Sequence, residues 1–151
     1  MKPLLTFVFA TLFAASPAFS QEAETPSETT VWEQISAPES DNLIDFLWLA
    51  RPIVVFADSA NDPRFEQQMA LLEANAEALA ERDVVVLTDT NPAQGSELRT
   101  KLRPRGFMMV AIGKDGGVKL RKASPWDVRE ITRVIDKMPM RQREVRERRQ
   151  P

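Results

Sequence analysis

Two short apolar runs on either side of one amphipathic helix constrain the fold of this chain most strongly. Ile53–Ala57 and Val84–Leu87 contain no polar residue, which is typical of strands that are buried on both faces of a sheet. Between the runs, apolar residues recur at intervals of three and four positions, namely Phe65, Met69, Leu72, Ala76 and Leu79. This spacing predicts a helix with one face against a sheet. A strand, a helix and a second strand in this order predict a right-handed parallel unit.

The rest of the chain extends this unit. A short helix is predicted from Glu39, before the first strand, and another is predicted to begin at the capping residue Ser96. Phe107–Ile112 is predicted to form a third strand, and the glycines of Lys114–Gly117 favour a tight hairpin to a fourth strand at Val118. A last helix follows. We therefore expect an α/β fold with a central mixed four-stranded sheet, in the order β-α-β-α-β-β-α, flanked by helices.

The start of the last helix and the tryptophans give more detailed expectations. Ser124 is expected to cap the last helix, with Asp127 placed for a capping box. Trp48 and Trp126 lie at predicted helical positions, and we expect both to belong to the core or its rim.

Residues 1–20 have the pattern of a secretory signal. Lys2 supplies a positive charge, Leu4–Ala15 is apolar, and Ala18–Ser20 offers small residues at a cleavage site before Gln21. The apolar stretch is shorter than the roughly 20 residues that span a bilayer, which disfavours the alternative of an uncleaved anchor. The sequence therefore predicts export, to a periplasm or, alternatively, to the extracellular space, with no transmembrane segment after cleavage.

Charge is distributed unevenly along the predicted mature chain. Residues 21–50 hold seven acidic residues and no basic one. Low hydrophobicity and the absence of periodicity predict a flexible acidic linker over residues 21–38. A single domain is expected over residues 39–140, followed by an arginine-rich tail over residues 141–151. Because Glu144 and Glu147 are interspersed among the arginines, the tail is predicted to be a solvated helix end. The alternative is contact with an anionic surface.

Several residue types are absent, and their absence excludes classes of chemistry. The chain has no cysteine, so it has no thiol nucleophile and no thiol redox couple. It also has no histidine, which excludes catalytic relays and metal sites that use imidazole. The formal net charge is −2, which gives no general attraction to nucleic acid. We expect no cofactor and no nucleic-acid partner, and we assign no catalytic residue.

A set of short segments resembles one family, the domain of unknown function 4174. The segments are Arg51–Pro52, Gln68, Arg82–Asp83, Gly113–Gly117 with Lys119, and Ile135–Arg141 with Glu144. The resemblance spans roughly Asn42 to Arg146. It implies export and a thioredoxin-like fold, and it implies no established activity. Similar domains occur in extracellular sushi-repeat and coiled-coil-domain proteins of animals.

The chain departs from active thioredoxins at both halves of their redox site. Those proteins carry a redox cysteine pair where the first strand enters the long helix, and Asp58–Pro63 stands there without sulfur. They also place a cis-proline directly before the third strand, where this chain has Arg105–Gly106. The resemblance therefore implies neither disulfide exchange nor a thiol peroxidase.

The corner where the redox site would lie is the first candidate site. It gathers polar side chains, namely Asp58, Ser59, Asp62, Arg64 and Arg105. A helix N-terminus beside an arginine can hold an anion, and two aspartates can bind Ca²⁺ or Mg²⁺. The same residue types are also ordinary in turns and helix caps, so a purely structural role stays open. No metal is assigned.

The second candidate site follows from chain direction. In the thioredoxin-like fold that the resemblance implies, the first two strands begin at the end of the sheet where the hairpin turns and the last helix finishes. We therefore expect charged residues from distant parts of the sequence to converge there, namely Arg51, Arg82, Asp83, Lys114, Asp115, Arg141 and Glu144. The cluster either ties the Met138–Met140 segment under the hairpin or forms a partner-binding face with Met140 as an apolar contact.

The sequence favours an exported binding or interaction module that lacks thiol redox activity. Its partner would be a protein or a small ligand of the cell envelope. The alternative is a small enzyme dependent on a divalent cation, or an anion-binding protein, using Asp58–Pro63.

Overall fold

The computed structural model describes residues 34–36, as backbone, and residues 42–150. The predicted signal sequence and most of the predicted linker lie outside the described residues. Among the helices that are described, none combines the length and the apolar character needed to cross a membrane.

The regular elements follow the predicted order, except that a strand and a last helix are added and the predicted long helix is divided into two. In chain order they are β1 (Gln34–Ser36), β2 (Arg51–Phe56), α1 (Pro63–Glu73), α2 (Ala76–Ala80), β3 (Val84–Asp89), α3 (Glu97–Leu102), β4 (Met108–Ile112), β5 (Val118–Lys122), α4 (Val128–Asp136) and α5 (Pro139–Arg149). Short 3-10 helices lie at Leu43–Phe46 and Pro92–Gln94.

The strands form one mixed sheet in the order β1-β3-β2-β4-β5. Strands β1, β3 and β2 run parallel, whereas β4 and β5 are antiparallel to their neighbours. The four predicted strands are all present. Strand β1 adds a fifth strand at the sheet edge, within the segment predicted as a linker. It was missed because three residues are too few to show a strand period.

The sheet separates two apolar clusters, as the unbroken apolar runs predict. Helices α1, α2 and α4 cover one face, where Ile53, Leu72 and Ile131 are buried. Helix α3 and the first 3-10 helix cover the other face, where Phe56 and Leu98 are buried. Every residue of β2 is buried, because this central strand is covered on both sides.

Two helices differ from the prediction at their ends. The long helix breaks into α1 and α2 at Asn75, whose side-chain amide donates to the Leu71 carbonyl at 2.9 Å and competes with the helical hydrogen bonds. The prediction that Ser124 caps the last helix was wrong. Asp127 is itself the cap, and its carboxylate accepts from the Arg129 N–H at 2.7 Å.

The two tryptophans have different environments. Trp126 is half-buried against the core, as predicted. The prediction for Trp48 was wrong, because 64% of its surface is exposed. The 3-10 helix has already ended there, and Trp48 takes a left-handed backbone conformation with φ of 64°. Its backbone N–H donates to the Lys114 carbonyl at 2.8 Å, which attaches this segment to the hairpin.

The fully buried Gln68 connects α1 to the segment before α4. Its amide nitrogen donates to the Trp126 carbonyl at 3.1 Å, and its amide oxygen accepts from the Trp126 N–H at 2.7 Å. Both polar groups of this buried amide are therefore satisfied, which explains why a polar residue is tolerated in the core.

The segment predicted as an arginine-rich tail is part of α5. The helix runs continuously from Pro139 to Arg149, so the predicted domain boundary at residue 140 falls inside a regular element. Only 3% of the Arg141 surface is exposed. The tail was predicted to be a solvated helix end because Glu144 and Glu147 are interspersed among its arginines. The helix is instead held by charged side chains that lie against the end of the sheet.

Candidate functional site

One end of the fold brings together elements from four parts of the chain. Strands β2 and β3 begin there, and the turn at 113–117 connects β4 to β5. Helix α5 lies against the same end of the sheet. We call this surface the hairpin end. The parallel direction of β2 and β3 places their first residues side by side, with Arg51 opposite Val84.

Arg51 lies at the centre of the hairpin end and is 2% exposed. Its guanidinium donates to the Arg82 carbonyl at 2.9 Å and to the Glu144 carboxylate at 3.0 Å. It also lies 3.9 Å from the Asp83 carboxylate. A buried guanidinium needs such partners, because an uncompensated charge away from water is costly.

Lys114 connects the hairpin turn to the same acidic groups. Its Nζ lies 2.8 Å from the Asp83 carboxylate and 3.0 Å from that of Glu144. Burial acts to raise the pKa of Glu144. The hydrogen bonds from Arg51 and Lys114 outweigh burial, so the pKa lies below its ordinary value. Glu144 therefore stays ionised and joins α5 to both β2 and the turn.

Arg141 attaches α5 to the ends of α2 and α4, and Arg82 joins those two helix ends to each other. Arg141 donates to the Glu81 carbonyl at 3.2 Å and lies 3.4 to 3.7 Å from the carboxylates of Glu81, Asp136 and Glu144. Arg82 binds Asp136 through two hydrogen bonds of 2.9 Å, which hold the pKa of that carboxyl below its ordinary value.

The structure brings together six of the eight residues predicted for this site in one ion-pair network, namely Arg51, Arg82, Asp83, Lys114, Arg141 and Glu144. Asp115 is outside the network. Its carboxylate accepts from Lys119 at 2.8 Å and from the Gly117 N–H at 3.1 Å within its own hairpin, which lowers its pKa. Met140 lies beside the network on the wall of a groove.

A groove of about 310 Å³ opens at the hairpin end, between the turn and the start of α5. Its lining residues are Arg51, Gly113, Lys114, Asp115, Lys119, Met138, Pro139, Met140 and Arg143. A Cβ atom at Gly113 would come within 2.6 Å of Asp115 Oδ1 and Lys119 Cε, so the ends of both side chains would have to move to accommodate it. The lining combines apolar side chains with bases, a composition suited to binding a charged group that carries an apolar neighbour.

The corner where a redox site would lie is engaged in local contacts. The Asp62 carboxylate caps α1 by accepting from the Arg64 N–H at 2.9 Å, and it pairs with the Arg64 guanidinium at 2.7 Å. The Arg64 hydrogen bonds lower the pKa of Asp62. The Ser59 hydroxyl accepts from the Asn61 N–H at 3.2 Å.

The remaining residues predicted for this corner are exposed. Asp58 lies beside Gly106, and Arg105 forms no ion pair with any residue that the structure describes. Within residues 42–150, no three carboxylates are grouped closely enough to hold a metal ion.

A buried polar cluster that was not predicted from the sequence lies near this corner. The Asp89 carboxylate, which ends β3, accepts hydrogen bonds from the Ser96 hydroxyl and, at 3.0 Å, from Arg99. Arg99 also donates to the Ala57 carbonyl at 2.7 Å. These contacts fix α3 against the ends of two strands. An acid directly after an apolar strand, with an arginine ten residues later, was the available signal.

Stability is expected to depend on pH through the carboxylates of the hairpin end. The pKa values of Glu144 and Asp136 are lower in the folded chain than their ordinary values of 4.5 and 3.8. The stabilisation that they provide is therefore complete above these values and is lost as pH falls through the lowered ones. Because the chain has no histidine, cysteine or tyrosine, the unfolding midpoint should stay nearly constant from about pH 6 to about pH 9.

Urea titrations across this pH range and down to about pH 3 would measure this dependence. Glu144→Gln should flatten the acid decline, because a glutamine side chain does not titrate. A decline equally steep in the variant would contradict the assignment to Glu144.

Comparison with solved structures identifies the class of fold. A reduced 2-Cys peroxiredoxin of Plasmodium vivax is 16% identical over 72% of this chain and 91% of that chain, with a TM-score of 0.55. Chloroplastic thioredoxin z is 26% identical over 71% of this chain and 93% of that chain, with a TM-score of 0.54. The described chain is therefore a thioredoxin-fold protein.

The family is shown by a match over most of the domain. The chain belongs to the family described as domain of unknown function DUF4174, which matches residues 42–144. Both the thioredoxin-like fold and the family resemblance predicted from the sequence are confirmed. Because the chain contains no cysteine, it cannot perform thiol redox chemistry with its own side chains.

Proposed function

We propose that this chain is an exported binding module whose protein partner docks on the hairpin end. The observation that carries the proposal is the groove, which lies directly beside a buried charge network. The network joins β2, the turn and α5 through Arg51, Lys114 and Glu144. A groove held in this way is preorganised, so a partner would not have to order its walls on binding.

Exposed apolar side chains at the same end also support the proposal. Ile44, Trp48 and Leu49 are each more than 60% exposed, and Trp48 is attached to the turn through Lys114. Tryptophan is enriched among the residues that contribute most to protein interfaces. Its left-handed backbone conformation is unusual for a large side chain.

The alternative function at Asp58–Pro63 has less support. A divalent-cation enzyme would need free carboxylates, whereas Asp62 is already engaged by the α1 backbone and by Arg64. An anion that binds Arg64 would have to displace that same aspartate, which leaves the exposed Arg105 as the available base of this corner among the described residues. Thermal unfolding with millimolar Ca²⁺ or Mg²⁺ distinguishes this alternative. A stabilisation that Asp58→Asn abolishes would favour it over binding at the hairpin end.

Co-isolation of partners tests the proposed binding module. The mature protein would be crosslinked mildly in its own cell envelope, purified and examined by native mass spectrometry. Met140→Asp places a charge on the groove wall and suits the first turn of α5, so folding should be retained. Ala93→Asp is the matched control, since it introduces the same charge at an exposed position near the opposite end of the sheet.

The expected result is a discrete protein that accompanies the wild type and the Ala93→Asp control but is lost from Met140→Asp. The purified partner should also bind the purified wild type again. A bare monomer from the envelope, or a partner retained equally by both variants, would contradict docking on the groove.

Export is the second part of the proposal. It is supported by the charged, apolar and small-residue pattern of residues 1–20. We expect the mature protein to begin at Gln21 and to be released with the soluble contents of the envelope or into the medium. Cell fractionation locates the mature protein, and N-terminal peptide mapping identifies its first residue. An intact Met1 on the accumulated protein would contradict a cleaved signal.

A further inference from the structure

We propose that the groove at the hairpin end binds the free C-terminal carboxylate of a partner chain, with the partner's last apolar side chain against Met138 and Met140. This inference rests on the proposed function and specifies the ligand of the same site. Four features of the groove support it.

The first feature is the start of α5, which forms part of the groove wall. The helix has 11 residues, and its capping residue Met138 provides no side-chain hydrogen bond. Pro139 has no N–H, and the N–H groups of Met140 and Arg141 have no acceptor among the described residues. Unsatisfied N–H groups at the positive end of a helix favour an anionic ligand.

The second feature is an unpartnered polar atom on Arg51. This side chain is 98% buried and lines the groove, and its Nε has no hydrogen-bond acceptor. The two terminal nitrogens of the same guanidinium already bind the Arg82 carbonyl and the Glu144 carboxylate. A buried donor without an acceptor is rare in a folded chain. The Nε itself is closed to solvent, so an anion held in the groove would compensate this guanidinium through its charge.

The third feature is the balance of charge in the lining. Four of the nine lining residues are basic and one is acidic. Arg51 and Lys114 are compensated from beneath by Asp83 and Glu144. In the lining itself, Asp115 compensates Lys119.

Arg143 supplies the uncompensated charge. It is exposed and forms no ion pair with any residue of the described chain. One positive charge is therefore left for a ligand at the mouth of the groove.

The fourth feature is the size and apolar character of the groove. Met138, Pro139 and Met140 provide an apolar wall that suits a side chain such as leucine, and methionine adapts to different shapes. A volume of about 310 Å³ is at the small end of ligand sites. It suits one or two residues at the end of a chain rather than a segment that continues in both directions.

A pair of peptides on the purified mature protein tests this inference. The probes are acetyl-Ala-Ala-Leu-Leu with a free carboxylate and the same peptide with a C-terminal amide. Titrations would be followed by NMR, through the backbone amide resonances of Met140, Arg141 and a distant reference, Ala93. We expect the free acid to bind at least about tenfold more tightly than the amide and to shift Met140 and Arg141 but not Ala93.

Two charge-reversal variants on the same helix provide the matched comparison. Arg143→Glu should weaken binding of the acid peptide at least about fivefold. Arg146→Glu should change binding less than about twofold, because Arg146 lines a separate groove on the other side of α5. Equal effects of the two variants would indicate general charge attraction and would overturn the inference.

A third peptide, acetyl-Ala-Glu-Leu-Leu-amide, separates a side-chain carboxylate from a terminal one. If this peptide binds as tightly as the free acid, the assignment to a chain terminus is overturned. If no peptide binds while the envelope partner still depends on Met140, the carboxylate inference is overturned and the binding module stands. If no peptide binds and no envelope partner depends on Met140, the proposed function is overturned as well.

Discussion

Replacing Arg51 with methionine should lower the free energy of unfolding by about 3–5 kcal/mol, as measured by urea unfolding at neutral pH. The substitution removes the donor that satisfies the Arg82 carbonyl and the Glu144 carboxylate. It leaves Glu144, which is 83% buried as a side chain, with only Lys114 and the more distant Arg141 as compensation. An uncompensated buried charge causes the largest part of this loss.

A double-mutant cycle separates the charge effect from packing. Because the double variant Arg51→Met, Glu144→Met removes both charges, it should recover part of the loss seen in Arg51→Met alone. The control is Arg133→Met, which breaks an exposed pair with Glu130 on α4 and should cost no more than about 0.5 kcal/mol. Equal losses for Arg51→Met and Arg133→Met would show that the network is not buried as described.

Removing residues 141–151 should destabilise the domain by at least about 3 kcal/mol. The deletion takes away Arg141 and Glu144, and it leaves Arg51 buried without its carboxylate partner. Met138, which is 9% exposed, would also lose the helix that follows it. A solvated tail would be dispensable, so this deletion distinguishes the sequence-based interpretation from the observed helix.

A shorter deletion is the control for this experiment. Removing residues 148–151 takes away Arg148, which is 55% exposed and lies 3.7 Å from Asp83. An exposed ion pair contributes at most about 1 kcal/mol, so the unfolding midpoint should change little. If the longer deletion has as small an effect as the shorter one, α5 is not an integral part of the domain.

Chain direction allowed the hairpin end to be predicted from the sequence. Apolar runs identified β2 and β3, and parallel strands begin at the same end of a sheet. The convergence of Arg51, Lys114 and Glu144 was predicted from the thioredoxin-like topology that the resemblance implies, although Glu144 lies 93 residues from Arg51. Asp115 was included for the same reason. Its side chain instead binds its own hairpin, and side-chain direction in a turn is not readable from strand order.

Features that depend on tertiary contacts were not predictable in the same way. The sequence of α5 has no apolar stripe, because its buried side chain is Arg141, and buried ion pairs leave no hydrophobic period. Trp48 falls at an apolar position of the predicted helix. In the structure its backbone is left-handed and its side chain is exposed. The contacts of Asp89 with α3 join residues seven and ten positions apart across a loop.

The two ends of this thioredoxin fold differ in what they leave available to a partner. At Asp58–Pro63, helix capping and pairing with Arg64 occupy Asp62, whereas Asp58 is exposed. At the hairpin end, the network satisfies its own buried charges but leaves a groove, an exposed base at Arg143 and exposed apolar side chains. The absence of cysteine removes thiol redox chemistry, and the proposed binding is assigned to the hairpin end because of the groups left unengaged there.

Site-specific photo-crosslinking in the living cell tests this account most directly. A photoactivatable residue would replace Met140 in the groove or, as the control, Ala93 near the opposite end of the sheet. The account predicts that the probe at position 140 gives a crosslink to one discrete protein and that the probe at position 93 does not. Crosslinks of equal yield from both positions, or from position 93 alone, would contradict binding at the hairpin end.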